Sequence, residues 1–138
     1  MKVCEGRITS KFGNRIHPVT KEKGSFHNGV DIACPIGTPV FSPGDCVVAQ
    51  TYDHEIGGKT IILREAATND RFGFCHLGEI LVRPGMVVKK GHLIAKSGNT
   101  GRSTGPHLHF SYGTGGYWKN GVCYQFKYLD PTSKIDIK

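Results

Sequence analysis

The sequence has almost no helical signature, since no amphipathic pattern of period 3.6 survives even three turns. That excludes a bundle or coiled coil and leaves short strands as the building material. No apolar run approaches the roughly 18–20 residues of a membrane-spanning helix, so no membrane span is expected. After Met1-Lys2, the segment Val3-Cys4-Glu5-Gly6-Arg7 interrupts any apolar stretch, and no signal peptide is read there. Cysteine is present five times but never as Cys-x-x-Cys, which excludes a zinc ribbon. An odd count without a signal sequence argues for reduced thiols and against a disulfide framework. Most should be small buried hydrophobes, with Cys75 beside His76 the one to follow. Acidic residues are scarce, 11 against 18 basic ones, giving a net charge of +7. An anionic partner or surface fits that balance. The basic residues are scattered, however, and nucleic-acid binding would rest on charge alone; no nucleic-acid partner is expected.

What the chain does have is punctuation: 19 glycines and 7 prolines in 138 residues. Turn signals recur at Pro43-Gly44-Asp45, Gly57-Gly58, Asn69-Asp70, Pro84-Gly85 and Gly98-Asn99-Thr100-Gly101. Between them lie β-branched or aromatic runs such as Val30–Ala33, Cys46–Ala49, Thr60–Leu63, Phe72–Leu77 and His107–Phe110. Asn120-Gly121 between Tyr117-Trp118-Lys119 and Val122-Cys123-Tyr124 is a hairpin signal. No linker, repeat or low-complexity tract divides the chain. The expectation is one all-β, antiparallel domain over 1–138, with loops long enough to build a groove.

Seven histidines are numerous for this length, and their spacing is informative. His27 and Asp31 are four apart across Asn28-Gly29-Val30, a separation that shares a face on a helix or a strand, and Gly29 and Val30 favour extended or irregular backbone here. His107 and His109 flank Leu108, so on a strand both imidazoles project from one side. Two such pairs on one sheet could converge on a cation. Zinc suits neutral imidazole with carboxylate, and a catalytic zinc keeps three protein ligands and one open position. On residue chemistry alone, backbone-bonded, partly buried histidines remain the competing reading, weakened by the two pairs occurring together. His54 and Glu55 do not continue into His-Glu-x-x-His, because position 58 is glycine. The run Gly98–Gly105 lacks the spacing of a phosphate loop.

Several segments together resemble the lysostaphin/LytM-type zinc metallopeptidase domain. They are Phe12-Gly13-Asn14-Arg15-Ile16-His17-Pro18, His27-Asn28-Gly29-Val30-Asp31, Pro35-Ile36-Gly37-Thr38-Pro39-Val40, Cys75-His76-Leu77, Val88-Lys89-Lys90-Gly91, and Gly98 through Phe110 with its Gly105-Pro106-His107-Leu108-His109-Phe110. The likeness runs from about residue 6 to about residue 131. It implies a small antiparallel β-sheet platform with loops walling a groove over one zinc ion. It implies His27, Asp31 and His109 as metal ligands and His76 and His107 as the non-ligand catalytic pair. The activity implied is hydrolysis of peptide bonds in the stem or cross-bridge of bacterial peptidoglycan. The alternative is a non-catalytic homologue that binds peptidoglycan or activates another hydrolase, but such chains lose metal positions that this one retains. A carrier module built on Val88-Lys89-Lys90-Gly91 would leave His107 and His109 idle.

Departures from the pattern are expected to affect specificity. The stretch 51–69 lacks the usual Gly-Tyr-Gly-Asn turn, Ser111 stands where a Glu is usual, and the tail from Gly113 to Tyr128 is atypical. All three are expected in or beside the groove walls. His17 is expected to pack a loop or the groove rim, Asn14 to serve a turn, and His92 to face solvent. The cell wall is the expected site of action, for a monomer that is either a bacteriophage virion or lysis protein or a domain of a larger exported protein.

Overall fold

The computed structural model describes residues 2–16 and 23–134. The strands, in chain order, are β1 (Arg7–Ser10), β2 (Gly13–Ile16), β3 (Lys23–His27), β4 (Val30–Ala33), β5 (Pro39–Phe41), β6 (Cys46–His54) and β7 (Gly58–Glu65). They continue as β8 (Arg71–Ile80), β9 (Val87–Val88), β10 (Leu93–Ser97), β11 (His107–Thr114), β12 (Tyr117–Lys119), β13 (Val122–Tyr124) and β14 (Lys127–Leu129). A single 3₁₀ turn, Pro131–Ser133, follows, started by the Asp130 side chain accepting from the Thr132 N–H. The fold is all-β, as expected.

Ten strands form one antiparallel sheet whose main path runs β1-β4-β11-β8-β7-β6-β9. Strand β14 adds to β11, and β10 bridges β8 and β5. Two small ribbons, β2-β3 and β12-β13, stand apart from it. The β12-β13 ribbon turns through Asn120 at φ 53° and Gly121 at φ 79°, the positive angles that an Asn-Gly hairpin supplies. Asn14 is a strand residue paired with Phe26 in the β2-β3 ribbon, where a turn had been expected. His17 lies outside the described residues.

The core lies on one face of the central strands. In β11, Leu108 and Phe110 are fully buried, while His107 and His109 between them look the other way. Phe72, Phe74 and Leu77 from β8, Ile61 and Leu63 from β7, and Val30 and Ile32 from β4 complete this layer. Burying each large apolar side chain contributes about 1.5–3 kcal/mol. That commitment fixes register, because a one-residue slip of β11 would exchange Leu108 for a histidine in the core. The five cysteines are free and four are buried; Cys75 is half-buried.

Candidate active site

The register of three adjacent strands builds the floor of the site. His109 of β11 lies opposite Asp31 of β4 on one side and Cys75 of β8 on the other. His107 is two residues along the same strand and shares its face. His27 arrives by the irregular form of the expected extended or irregular backbone: it ends β3, and Asn28-Gly29 separate it from Asp31 in β4. The chain bends at that break, so the two residues converge from different strands. Gly29 permits the approach, because a Cβ there would lie 2.3 Å from the Phe110 carbonyl oxygen and 3.0 Å from His109 Nε2.

His76 reaches the same face through an irregularity. Between the pairs Lys59–Leu77 and Ile61–Phe74, β8 carries one residue more than β7, which is a β-bulge. His76 occupies it at φ 62°, a left-handed angle uncommon for any residue but glycine. Its N–H donates to the Gly57 carbonyl at 2.7 Å. Strict alternation after Phe74 would send His76 into the core. The bulge returns Leu77 there instead and leaves both Cys75 and His76 facing the groove.

Each imidazole is oriented by a hydrogen bond from one ring nitrogen. His27 Nδ1 donates to the Lys11 carbonyl at 2.9 Å, His76 Nδ1 to the Thr100 carbonyl at 2.7 Å, and His107 Nδ1 to the Gly105 carbonyl at 2.8 Å. A carbonyl can only accept, so in these rings Nε2 is left to face the groove. His109 is set the opposite way. Its Nε2 donates to Asn28 Oδ1 at 2.9 Å, and its Nδ1 lies 2.9 Å from Asp31 Oδ1. With the Nε2 proton committed to Asn28, the two atoms facing each other across 2.9 Å are both acceptors. Such a pair needs a cation between them, a proton or a metal ion.

The same Asp31 oxygen lies 3.4 Å from His27 Nε2 and 3.6 Å from His107 Nε2. Burial works to raise the Asp31 carboxyl, but the His109 hydrogen bond and the fields of His109, His27 and His107 outweigh it and hold it below the usual carboxylate value. One ligand atom from each of His27, Asp31 and His109 fits within a mutual 4.8 Å, the one such group found among the described residues. Two imidazoles and an ionised carboxylate form a donor set that suits zinc. The residues present therefore fit a metal.

His76 and His107 pack against each other beside this group, ring centroids 4.8 Å apart. Burial lowers the His76 imidazole below its ordinary value, and the neighbouring His107 and His109 rings push the same way, so His76 is neutral near pH 7. All five residues line one groove of about 560 Å³, which Ile56, Gly57, Arg102, Ser103 and Thr104 also line.

The profile of peptidase family M23 matches residues 25–121. The chain belongs to that family. The peptidoglycan DD-endopeptidase ShyA of Vibrio cholerae is 48% identical to this M23 domain over 105 residues, 75% of this chain and 24% of that protein. The chain thus spans about a quarter of the length of the curated relatives it matches. Among solved structures, a zinc-containing peptidase from Vibrio cholerae superposes with a TM-score of 0.74 at 38% identity, covering 91% of this chain and 35% of that one. The catalytic domain of the antimicrobial peptidase lysostaphin from Staphylococcus simulans does so with a TM-score of 0.75 at 30% identity, covering 93% and 90%. The β platform is therefore the lysostaphin-like one.

Of the three departures expected at the groove, one is there. Ile56 and Gly57 belong to the unusual 51–69 stretch and form a wall. Ser111 shares the His107 and His109 face of β11 but is buried beside Gly73 and does not line the groove. Trp118 of the M23 domain's tail donates to the Asn69 carbonyl and lines a separate cavity with Val47, Val48 and Arg64. His54 accepts from the Ile56 N–H within its own turn, and His92 is exposed. The sequence reading missed Asn28, Thr100 and Ser103. Thr100 Oγ1 donates to the Leu77 carbonyl and accepts from the Lys59 N–H, while its own carbonyl holds His76. Ser103 Oγ lies 3.1 Å from His107 Nδ1.

Proposed function

We propose that this chain is a zinc-dependent endopeptidase that hydrolyses a peptide bond in the stem or cross-bridge of bacterial peptidoglycan, with residues 1–138 acting as one catalytic domain. His27 through Nε2, Asp31 through Oδ1 and His109 through Nδ1 hold the metal in this reading. The observation that carries it is the convergence of these three atoms beside two further imidazoles whose Nε2 atoms point into the same groove.

A zinc ion so held would lower the pKa of a bound water toward about 7 and polarise the scissile carbonyl. The chain's own residues supply the rest. Asn28 keeps the His109 ring turned with Nδ1 inward. Neutral His76, anchored through Nδ1 on Thr100, presents a basic Nε2 that takes a proton from the attacking water and returns it to the leaving amine. His107, anchored on Gly105 and beside Asp31, presents its Nε2 as a hydrogen-bond donor when protonated, and so stabilises negative charge developing on the carbonyl oxygen. Ile56 and Gly57, joined to the 102–104 loop by the hydrogen bond from the Arg102 N–H to the Ile56 carbonyl, form one wall along which an extended peptide would lie.

The cell wall is the proposed place of action, for a monomer; the free cysteines favour a bacteriophage protein over a domain of a larger exported one. The test is digestion of purified peptidoglycan from Gram-negative and Gram-positive sources, with mass analysis of the products. Zinc-dependent release of new peptide termini, stopped by a chelator, is expected. Zinc bound at one equivalent with no wall cleaved would instead favour the non-catalytic, wall-binding homologue.

A further inference from the structure

We propose that Arg102 reads a free carboxylate on the substrate beside the scissile bond, so that the preferred substrate is a cross-linked wall peptide whose residue flanking that bond is not amidated. This inference rests on the peptidoglycan endopeptidase reading and narrows its substrate class.

The groove's charges are sparse and unevenly placed. Asp31 is its one carboxylate and is engaged by three imidazoles, while Arg102 is its one permanent cation. The basic residues that pair with acids elsewhere on the surface are Lys2 with Glu5 and Lys96 with Glu79. Arg102 forms no ion pair among the described residues and is exposed at the rim.

Its backbone, in contrast, is firmly held. The Arg102 N–H donates to the Ile56 carbonyl at 2.8 Å, tying the loop to the turn between β6 and β7. Gly101 before it adopts φ 74° and packs so closely that a Cβ there would lie 2.3 Å from the Gly58 nitrogen. Ser103 after it touches the His107 ring. Consecutive Cα atoms lie about 3.8 Å apart, so Arg102 is one residue removed from a group in contact with the reacting centre. A guanidinium launched from this fixed point meets the substrate close to the bond that breaks.

A bound peptide would strip water from that guanidinium, which is costly unless the peptide brings an anion. The planar fork of N–H donors matches a carboxylate in two parallel hydrogen bonds, a geometry that neither a peptide carbonyl nor a carboxamide reproduces. Amidation of the flanking carboxylate removes the charge and replaces one acceptor oxygen with a donor.

The experiment compares two soluble cross-linked muropeptide dimers that differ only in whether the carboxylate beside the scissile amide is free or amidated. They are cut by the zinc-loaded wild type, Arg102→Gln and Arg102→Lys. For the wild type, kcat/KM should favour the free acid by about tenfold or more, the range of a charge-assisted pair. Arg102→Gln should bring the ratio to within about twofold by losing rate on the free acid alone, mostly through KM, with zinc affinity unchanged. Arg102→Lys should retain part of the preference. Equal cleavage of both dimers by the wild type, or a preference that survives in Arg102→Gln, would overturn the assignment while leaving the endopeptidase reading intact. Cleavage of neither dimer, with zinc bound, would overturn that reading and the assignment with it.

Discussion

The two halves of the groove are built by different means. The half proposed to hold the metal rests chiefly on strand register: Asp31 and His109 are paired residues of neighbouring strands, and their positions follow from the apolar residues that alternate with them. The half proposed to transfer protons rests largely on irregular backbone. His76 sits in a bulge at a left-handed angle, and His76 and His107 are aimed by carbonyls of the 98–105 loop. A ligand set needs three atoms around a point, which a rigid sheet provides. Groups that pass protons must approach from outside that plane, and a loop and a bulge supply the offset. The comparison suggests that the two halves should fail separately.

The largest effects should come from the histidines of β11. His109→Ala is expected to abolish stoichiometric zinc binding, read by a competition titration, and all turnover with it. His107→Ala should keep the zinc and lose about 10²–10⁴-fold in kcat. Loss of the metal from His107→Ala but not from His109→Ala would reverse the two roles.

A smaller pair of changes addresses the supports. Asn28→Ala removes the acceptor that orients His109 and should weaken zinc binding by about 10–100-fold, measured with the same chelator. Thr100→Val removes the Leu77 and Lys59 hydrogen bonds that hold the loop under His76. A few kcal/mol of lost support should appear in kcat and leave zinc affinity nearly unaltered. If both variants lost metal equally, the two halves would be one mechanical unit.

The smallest effect lies away from the groove, at Asp70. Burial works to raise its carboxyl, but hydrogen bonds from Thr114, Tyr112 and Thr68 prevail and depress it below the ordinary 3.8. The buried Tyr112 hydroxyl that donates to it is pushed up to about 12. With the folded value below the unfolded one, Asp70 contributes stability that is fully present above about pH 4 and is lost as pH falls through the depressed value. Denaturant titrations of the wild type and Asp70→Asn should therefore differ most at neutral pH and converge as pH falls below 3.8. A gap that stayed constant with pH would sink this account.

Legibility followed the same division. The alternation around His107-Leu108-His109-Phe110 and the Asn120-Gly121 hairpin could be read directly, because side-chain period and turn chemistry are local properties. The resemblance then placed His27, Asp31, His76, His107 and His109 together before any coordinates. Asn28 escaped notice because its partner, His109, is 81 residues away in sequence. Thr100 was missed because what it gives His76 is a main-chain carbonyl, which no residue identity advertises. Ser111 and the Trp118 tail were expected in or beside the groove walls; Ser111 shares the His109 face but is buried against Gly73, and Trp118 lines a separate cavity, since strand period gives a residue's face and not what covers it.

By itself the sequence determined the all-β class, the alternating faces of the central strands and the family to which the chain belongs, since each depends on residue type at short spacing. Only the tertiary structure decided that β3 and β4 bend apart at Asn28-Gly29, that a bulge returns His76 to the groove, and that Arg102 stands at its rim with no ion-pair partner among the described residues. Those outcomes depend on how strands and loops distant in the chain share hydrogen bonds and space, and the energy of a contact between remote segments is written in no single stretch of residues.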